Sequence, residues 1–212
     1  MGTIMTRAEP TVYVIDDDKS VRDALNWLIT SVDLPVQTFA SAHEFLESYQ
    51  PDQQGCLVVD VRMPAMSGIE LQKKLAGLSD RRPIIIITGH GHVHTAVSAM
   101  KAGAFDFIEK PFDEQLLLDV VQKAVEKSVQ AARDDARQAE IRRRLDLVTP
   151  REKEVLDLIV AGESNKRIAL HIGIGEKTVE AHRAKVMEKM QAKSFADLIK
   201  IVMNLESHSG NP

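Results

Sequence analysis

Asp16, Asp17, Asp60, Thr88 and Lys110 carry the side chains in the first half of this chain that could work on a phosphoryl group together. Three carboxylates brought close repel one another, and they favour a hard divalent cation held through oxygen, with Mg²⁺ the best match. An ammonium and a hydroxyl beside them can contact the equatorial oxygens of a phosphoryl group. A carboxylate can then act as nucleophile and form an acyl phosphate. Mg²⁺ and Lys110 would neutralise charge during such a transfer, which depends mainly on positioning and electrostatics.

That chemistry requires the five residues to meet, and the elements around them say how. TVYVI (11–15) runs into Asp16 and Asp17, CLVVD (56–60) ends at Asp60, PIIIIT (83–88) ends at Thr88, and FDFIEK (105–110) ends at Lys110. These runs are short and apolar, and PIIIIT in particular is rich in β-branched residues, as in buried strands; PVQTF (35–39) is a weaker one. Helical patterns alternate with them, through Val21, Leu25, Leu28 and Ile29, then Phe45 and Leu46, then Ile69, Leu71 and Leu75, then Val97 to Met100. Five strands alternating with helices predict an α/β domain, a parallel sheet with helices on both faces. In such a sheet ligands collect beyond the carboxyl ends of the strands, where all five residues lie.

The stretch ITGHGHVHTAV (87–97) offers other chemistry, because His90, His92 and His94 stand at alternate positions. Imidazole ligates transition metals, but no Cys or acidic ligand accompanies the three, so the segment reads as a loop at the rim of the site and not as a zinc centre. Cys56 is the only cysteine; it excludes an internal disulfide, suits a reducing cytoplasm and reads as a buried thiol.

A chain of 212 residues accommodates two small domains. The net charge of −4 is unevenly spread: residues 10–128 carry 11 Lys and Arg against 17 Asp and Glu, and residues 148–212 carry 10 against 9. That pattern fits an acidic regulatory module joined to a module with a basic face. No stretch approaches the roughly 18 apolar residues of a membrane span, and the first ten residues show no signal-peptide run.

From Glu114 the pattern is helical, without Gly or Pro until Pro150, and residues 129–147 are polar on most sides. They read as a helical linker, solvated or dimerising. Thr149, Pro150 and Glu152 form a capping-box start for the next helix, which Gly162 ends. Asn165–His171, a turn at Gly173, and Glu176–Met190 then give the helix-turn-helix pattern, and a helix over Phe195–Met203 closes a four-helix, all-α domain. On Glu176–Met190 the apolar residues Val179, Val186 and Met190 face inward. The phosphate-contact candidates are Lys166, Thr178, Lys185 and Lys189, with Lys177 also on the surface. Glu180, Ala181, Arg183 and Ala184 are the base-reading candidates: Glu180 for cytosine N4, Arg183 for guanine, and an alanine methyl for the thymine methyl. Taken alone, Lys177, Lys185 and Lys189 read first as a solvated helix face.

VIDDD, DVRMPAMSG, ITGHG and FIEKPF, in that order, resemble the receiver domain of two-component response regulators over about residues 10–128. TPRE, AG-x-SNK-x-IA, KTVE-x-HR and KM-x-A-x-S resemble the DNA-binding domain of the LuxR/NarL/FixJ class over about 148–207, and the pair is most similar to the FixJ-like subgroup. The resemblance implies a flavodoxin-like sheet with Asp60 as phosphoacceptor and Asp16 and Asp17 as its acidic pocket. It implies that the backbone carbonyl of Arg62 completes a Mg²⁺ site, and that Lys110 binds phosphate ahead of a cis Lys110–Pro111 bond. Thr88 and Phe107 become the switch pair, and Phe107 lacks the hydroxyl of the tyrosine found in many receivers. Implied partners are a sensor histidine kinase, double-stranded promoter DNA, a second copy on phosphorylation, and RNA polymerase, all in the cytoplasm and without a membrane. The expected layout is a tail (1–9), the receiver (10–128), a helical linker (129–147), the helix-turn-helix domain (148–207) and a second tail (208–212).

Two other readings stay open on the residues alone. Asp16-x-Asp18-x-Ser20 after a strand is similar to the aspartyl-phosphate motif of haloacid-dehalogenase-like phosphatases, which would make the chain an enzyme. That reading leaves Asp60, Thr88 and Lys110 without a role. The other is a receiver fold that works without phosphorylation.

Overall fold

The computed structural model describes residues 9–89 and 93–209. The first unit strings together β1 (Thr11–Ile15), α1 (Lys19–Thr30), β2 (Val36–Phe39), α2 (Ala42–Glu47), β3 (Gly55–Asp60), α3 (Gly68–Gly77), β4 (Ile84–Thr88), α4 (Val93–Lys101), β5 (Asp106–Glu109) and the part of α5 (Glu114–Asp146) up to Ala132. The strands form one parallel sheet in the order β2-β1-β3-β4-β5. Alternation along the strands divides the core in two. Val12, Val14, Cys56, Val58, Ile85 and Ile87 pack with α1 and α5, while Tyr13, Ile15, Leu57, Val59, Ile84 and Ile86 pack with α2, α3 and α4. Both faces are covered, which is why β3 and β4 read as continuous apolar runs.

Parallel strands with helical crossovers deliver every strand's carboxyl end to the same edge. In register, Asp60 pairs with Ile87 and Thr88 with Glu109, so Asp60, Thr88 and Lys110 arrive side by side. Each crossover starts at a defined point. Asp18 caps α1 through Ser20 N, Ser41 caps α2 through Glu44 N, and Ser67 forms a full capping box with Glu70 at α3.

The second compact unit begins at Arg133 and contains α6 (Pro150–Val160), α7 (Asn165–Ile172), α8 (Glu176–Met190) and α9 (Phe195–Ser209). Thr149 and Glu152 make the expected capping box with Pro150 in the first turn. Gly173 closes α7 in the left-handed conformation, φ 69°, which a residue without Cβ adopts at little cost. Two sequence expectations need correcting. α9 runs on to Ser209. The stretch 129–147, expected as a linker, is not solvated throughout: Ile141 is buried in the second core with Val155, Ile168 and Val186, and Leu145 packs against them. One apolar residue per turn among charged neighbours was enough to dock the end of α5 onto that core.

Candidate functional site

The edge of the sheet carries a charged cluster built around Lys110. Its Nζ donates to Asp16 Oδ2 at 2.7 Å and to Asp60 Oδ1 at 2.8 Å. Asp16 and Asp60 are 1% and 7% exposed, so these two carboxylates are nearly out of water and need a partner. The remaining oxygens meet backbone donors: Asp18 N to Asp16 Oδ1 at 2.9 Å, and Arg62 N to Asp60 Oδ2 at 2.6 Å. The end of β1 is tied by Arg22, whose guanidinium donates to the Asp16 carbonyl at 2.7 Å. Lys110 is placed by its own backbone, since its N–H reaches the Thr88 carbonyl at 2.7 Å, and the Lys110–Pro111 bond is cis as expected.

Electrostatics follow from burial. Desolvation pushes the Asp16 carboxyl above its ordinary range, against the hydrogen bonds from Lys110 and the Asp18 N–H. Burial alone would lower Lys110, but its hydrogen bonds to Asp16 and Asp60 outweigh it and the net shift is upward. The lysine therefore stays an ammonium and compensates both carboxylates.

Of the expected receiver residues, Asp16, Asp60, Thr88 and Lys110 are brought together, with Thr88 buried at the same edge. Phe107 is half-buried opposite Ile86 and packs on the Tyr13–Ile86 face of the sheet. Asp17 and Arg62 are exposed beside the cluster. The expected cation donors are all oxygens, which fits a hard ion in kind. They are not gathered as one cage: among the described residues no three His, Cys, Asp or Glu side chains form a metal-binding group. The ammonium of Lys110 bridges Asp16 and Asp60 through one oxygen of each, and Asp17 is exposed to solvent. His90 and His92 lie outside the described residues, and His94 is exposed in the first turn of α4.

Gly68 was not among the expected site residues. A Cβ there would stand 2.3 Å from the Asp60 carbonyl oxygen and 2.9 Å from Val59 Cγ1. Only glycine lets the start of α3 press against the strand end that carries Asp60. Gly68→Ala is expected to cost about 1–3 kcal/mol by overpacking and to displace Asp60. Urea unfolding together with the rate of phosphoryl acceptance checks this, and wild-type values for both would show that the backbone yields freely.

In the second unit, α8 presents Lys177, Thr178, Glu180, Ala181, Ala184 and Lys185 to solvent, and Lys166 is exposed on α7. Two expected DNA contacts are placed differently. Lys189 Nζ is ion-paired at 2.5 Å with Glu152, a residue 3% exposed, so that lysine is engaged inside the domain. Arg183 is half-buried; its NH1 donates to Asn165 Oδ1 at 2.7 Å and its guanidinium lies 3.8 Å from the Phe195 ring centroid, with burial lowering its pKa. The buried Nδ1 of His182 has no hydrogen-bond partner among the described residues.

The Lys189 contact has a measurable consequence. The hydrogen bond from Lys189, helped by those from Thr149 and opposed by burial, holds Glu152 down at about 2. A depressed carboxyl stabilises the fold above its unfolded value of about 4.3 and loses that contribution as pH falls toward the folded value. Glu152→Gln is expected to cost about 1.5–3 kcal/mol near neutrality and to flatten the acid limb between about pH 4.5 and 2. Thermal unfolding by circular dichroism across that range checks it, and parallel profiles for the two proteins would contradict it.

With this geometry in view, comparisons with known proteins place both halves. Residues 12–122 match the family described as response regulator receiver domain, and residues 146–202 match the bacterial regulatory proteins of the luxR family. The transcriptional regulatory protein FixJ of Bradyrhizobium diazoefficiens is 43% identical over 91% of this chain and 94% of its own. The transcriptional regulatory protein TdiR of Thauera aromatica is 44% identical over 98% of this chain and 92% of its own. Among solved structures, that of the response regulator StyR matches with TM-score 0.85 and 45% identity, covering 92% of this chain and 99% of that one.

Proposed function

Since the chain belongs to the two-component response regulators that carry a receiver and a LuxR-type DNA-binding domain, we propose that it is a phosphorylation-controlled transcription factor whose phosphoacceptor is Asp60. The observation that carries this reading is the Lys110 ammonium held at 2.7 and 2.8 Å from Asp16 and Asp60. A fixed positive charge beside Asp60 supports this reading, because an incoming phosphoryl group must be neutralised.

The donor is the phosphohistidine of a sensor histidine kinase. An Asp60 oxygen attacks the phosphorus, the phosphorus–nitrogen bond breaks, the kinase imidazole leaves, and an acyl phosphate remains on Asp60. Lys110 follows the transferred group and binds its oxygens. Asp16, Asp17, Asp60 and the Arg62 carbonyl are the residues that would hold Mg²⁺, which when bound supplies further neutralisation of the phosphoryl charge. The Thr88 hydroxyl hydrogen-bonds the phosphoryl group and leaves room for Phe107 to turn inward, which reshapes the surface of α4 and β5. Two copies then pair through their receivers, the second units bind double-stranded promoter DNA, and RNA polymerase is engaged to activate transcription in the cytoplasm. No helix among the described residues is long and apolar enough to cross a membrane. The chain's role is regulatory and not enzymatic, in keeping with relatives named as transcriptional regulators.

The phosphoryl step is tested with the full chain, an acyl-phosphate donor, and either Mg²⁺ or excess chelator. A covalent, hydroxylamine-labile phosphoryl group is expected with Mg²⁺ and is expected to be lost on chelation. No adduct under either condition would contradict the reading, and an undiminished adduct under chelation would remove Mg²⁺ from it.

A further inference from the structure

Arg183 lies on the inward stripe of α8. Val179, Val186 and Met190 are fully buried in the second core, and Arg183 falls between them at spacings of four, three and four residues. Residues at that period share one face of a helix. The solvent-facing stripe, through Lys177, Glu180, Ala181, Ala184 and Lys185, occupies other directions around the axis.

The head group is held by two other helices. NH1 donates to Oδ1 of Asn165, the first residue of α7, and the guanidinium carbon lies 3.8 Å from the ring centroid of Phe195, the first residue of α9. A planar guanidinium can donate in its plane while its face lies on an aromatic ring, which a lysine ammonium cannot reproduce. The tie matters because of how α8 is otherwise fixed. Its C-terminal end is held by Lys189 on Glu152 and by Arg144, which reaches the Met190 carbonyl at 3.4 Å. Its N-terminal end starts at Gly175 with no side-chain cap, whereas α6 and α7 are capped by Thr149 and Ser164. Arg183, at the middle of α8, therefore ties this helix to α7 and α9 on the side of its uncapped end.

We propose that Arg183 is a positioning residue, which reads no base and touches no phosphate but sets the pose of α8 against α7 and α9, so that the exposed stripe meets the DNA. The inference rests on the DNA-binding reading above. It differs from base reading in what it predicts for Arg183's partners: if the brace acts as a unit, breaking it from either side has the same effect.

The test uses the full chain with an acyl-phosphate donor and Mg²⁺ in every arm. Wild type first enriches its preferred duplex from a double-stranded DNA library with a randomised core. Wild type, Arg183→Met, Asn165→Ala, Phe195→Leu and the Arg183→Met/Asn165→Ala double variant are then measured on that duplex and on a shuffled one, over a range of salt. Asn165→Ala keeps the arginine and the aromatic ring, so it serves even if Arg183→Met unfolds. Each single variant is expected to lose about tenfold on the preferred duplex, comparable to one mismatched contact, and much less on the shuffled one. The double variant is expected to lose no more than the worse single one, since both break one brace. The salt slope and the bases enriched on reselection are expected to match wild type.

Five results would overturn the proposal. A changed base at one position on reselection with Arg183→Met would make Arg183 a base reader. A salt slope smaller by about 0.9 would make it a phosphate contact. Equal losses on both duplexes, following the unfolded fraction, would make it a residue of general stability. Wild-type affinity in Asn165→Ala, or additive losses in the double variant, would show no brace. If wild type enriches no duplex, the DNA-binding reading itself fails and this inference falls with it, a result separable from variants that merely match wild type.

Discussion

Asp60→Asn is expected to abolish covalent phosphoryl labelling of this chain while leaving its fold intact. The amide has nearly the shape of the carboxylate, and its single oxygen can still accept one of the two hydrogen bonds that Lys110 and the Arg62 N–H direct at the separate carboxylate oxygens. It has lost the anionic oxygen that attacks phosphorus. Removal of one charge leaves Lys110 on Asp16 alone, so the cluster stays compensated and folding tolerates the change. Intact-mass measurement after treatment with an acyl-phosphate donor and Mg²⁺ checks it. Labelling of Asp60→Asn at the wild-type level would place the acceptor elsewhere, with Asp16, Asp17 and Asp18 the next residues to replace.

The second large effect concerns stability, at the opposite end of the sheet. Arg82 and Asp80 form a pair whose side chains are 4% and 6% exposed, with NH2 and Nε of Arg82 donating to Asp80 Oδ2 at 2.5 and 3.0 Å. The guanidinium also lies over Tyr13, Phe45 and Tyr49, with centroids 4.8, 5.5 and 5.4 Å away. Arg82→Met fills most of the volume but leaves the Asp80 charge buried with its main partner gone. The expected loss is about 3–5 kcal/mol, because the desolvation cost remains after the attraction is removed. Asp80→Asn/Arg82→Met is expected to recover part of it, since no unpaired charge is left. Urea unfolding of the three proteins measures both. A single-variant loss under about 1 kcal/mol would mean that the pair behaves as a surface ion pair.

The ends of β3 and β4 were legible because fully buried parallel strands appear as unbroken apolar runs, and β1 and the less buried β5, like them, run to a polar residue at the edge. The start of α6 was equally plain, since Thr149, Pro150 and Glu152 each satisfy a separate requirement of a helix N-terminus. Arg183 was misplaced for a specific reason. Its charge suggested an outward position, although the spacing from Val179 to Met190 already put it on the buried stripe. Lys189 could not have been placed from the sequence, since its partner Glu152 is 37 residues away and its position borders the core without entering it. Arg82 was invisible for the same reason: its aromatic neighbours come from β1, α2 and the segment after α2, and no local pattern joins them. Gly68 follows a capping serine and looks like an ordinary helix start. Only the approach of the Asp60 carbonyl shows why no larger residue fits.

The most direct test of phosphorylation control through Asp60 is a paired measurement on the full chain. DNA affinity and solution mass are recorded for wild type and Asp60→Asn, each with and without an acyl-phosphate donor in Mg²⁺. Wild type is expected to dimerise and bind its preferred duplex more tightly with the donor, with Asp60→Asn unchanged by it. Equal affinity and mass in all four samples would contradict a phosphorylation switch and leave the receiver as a scaffold or as the target of another input.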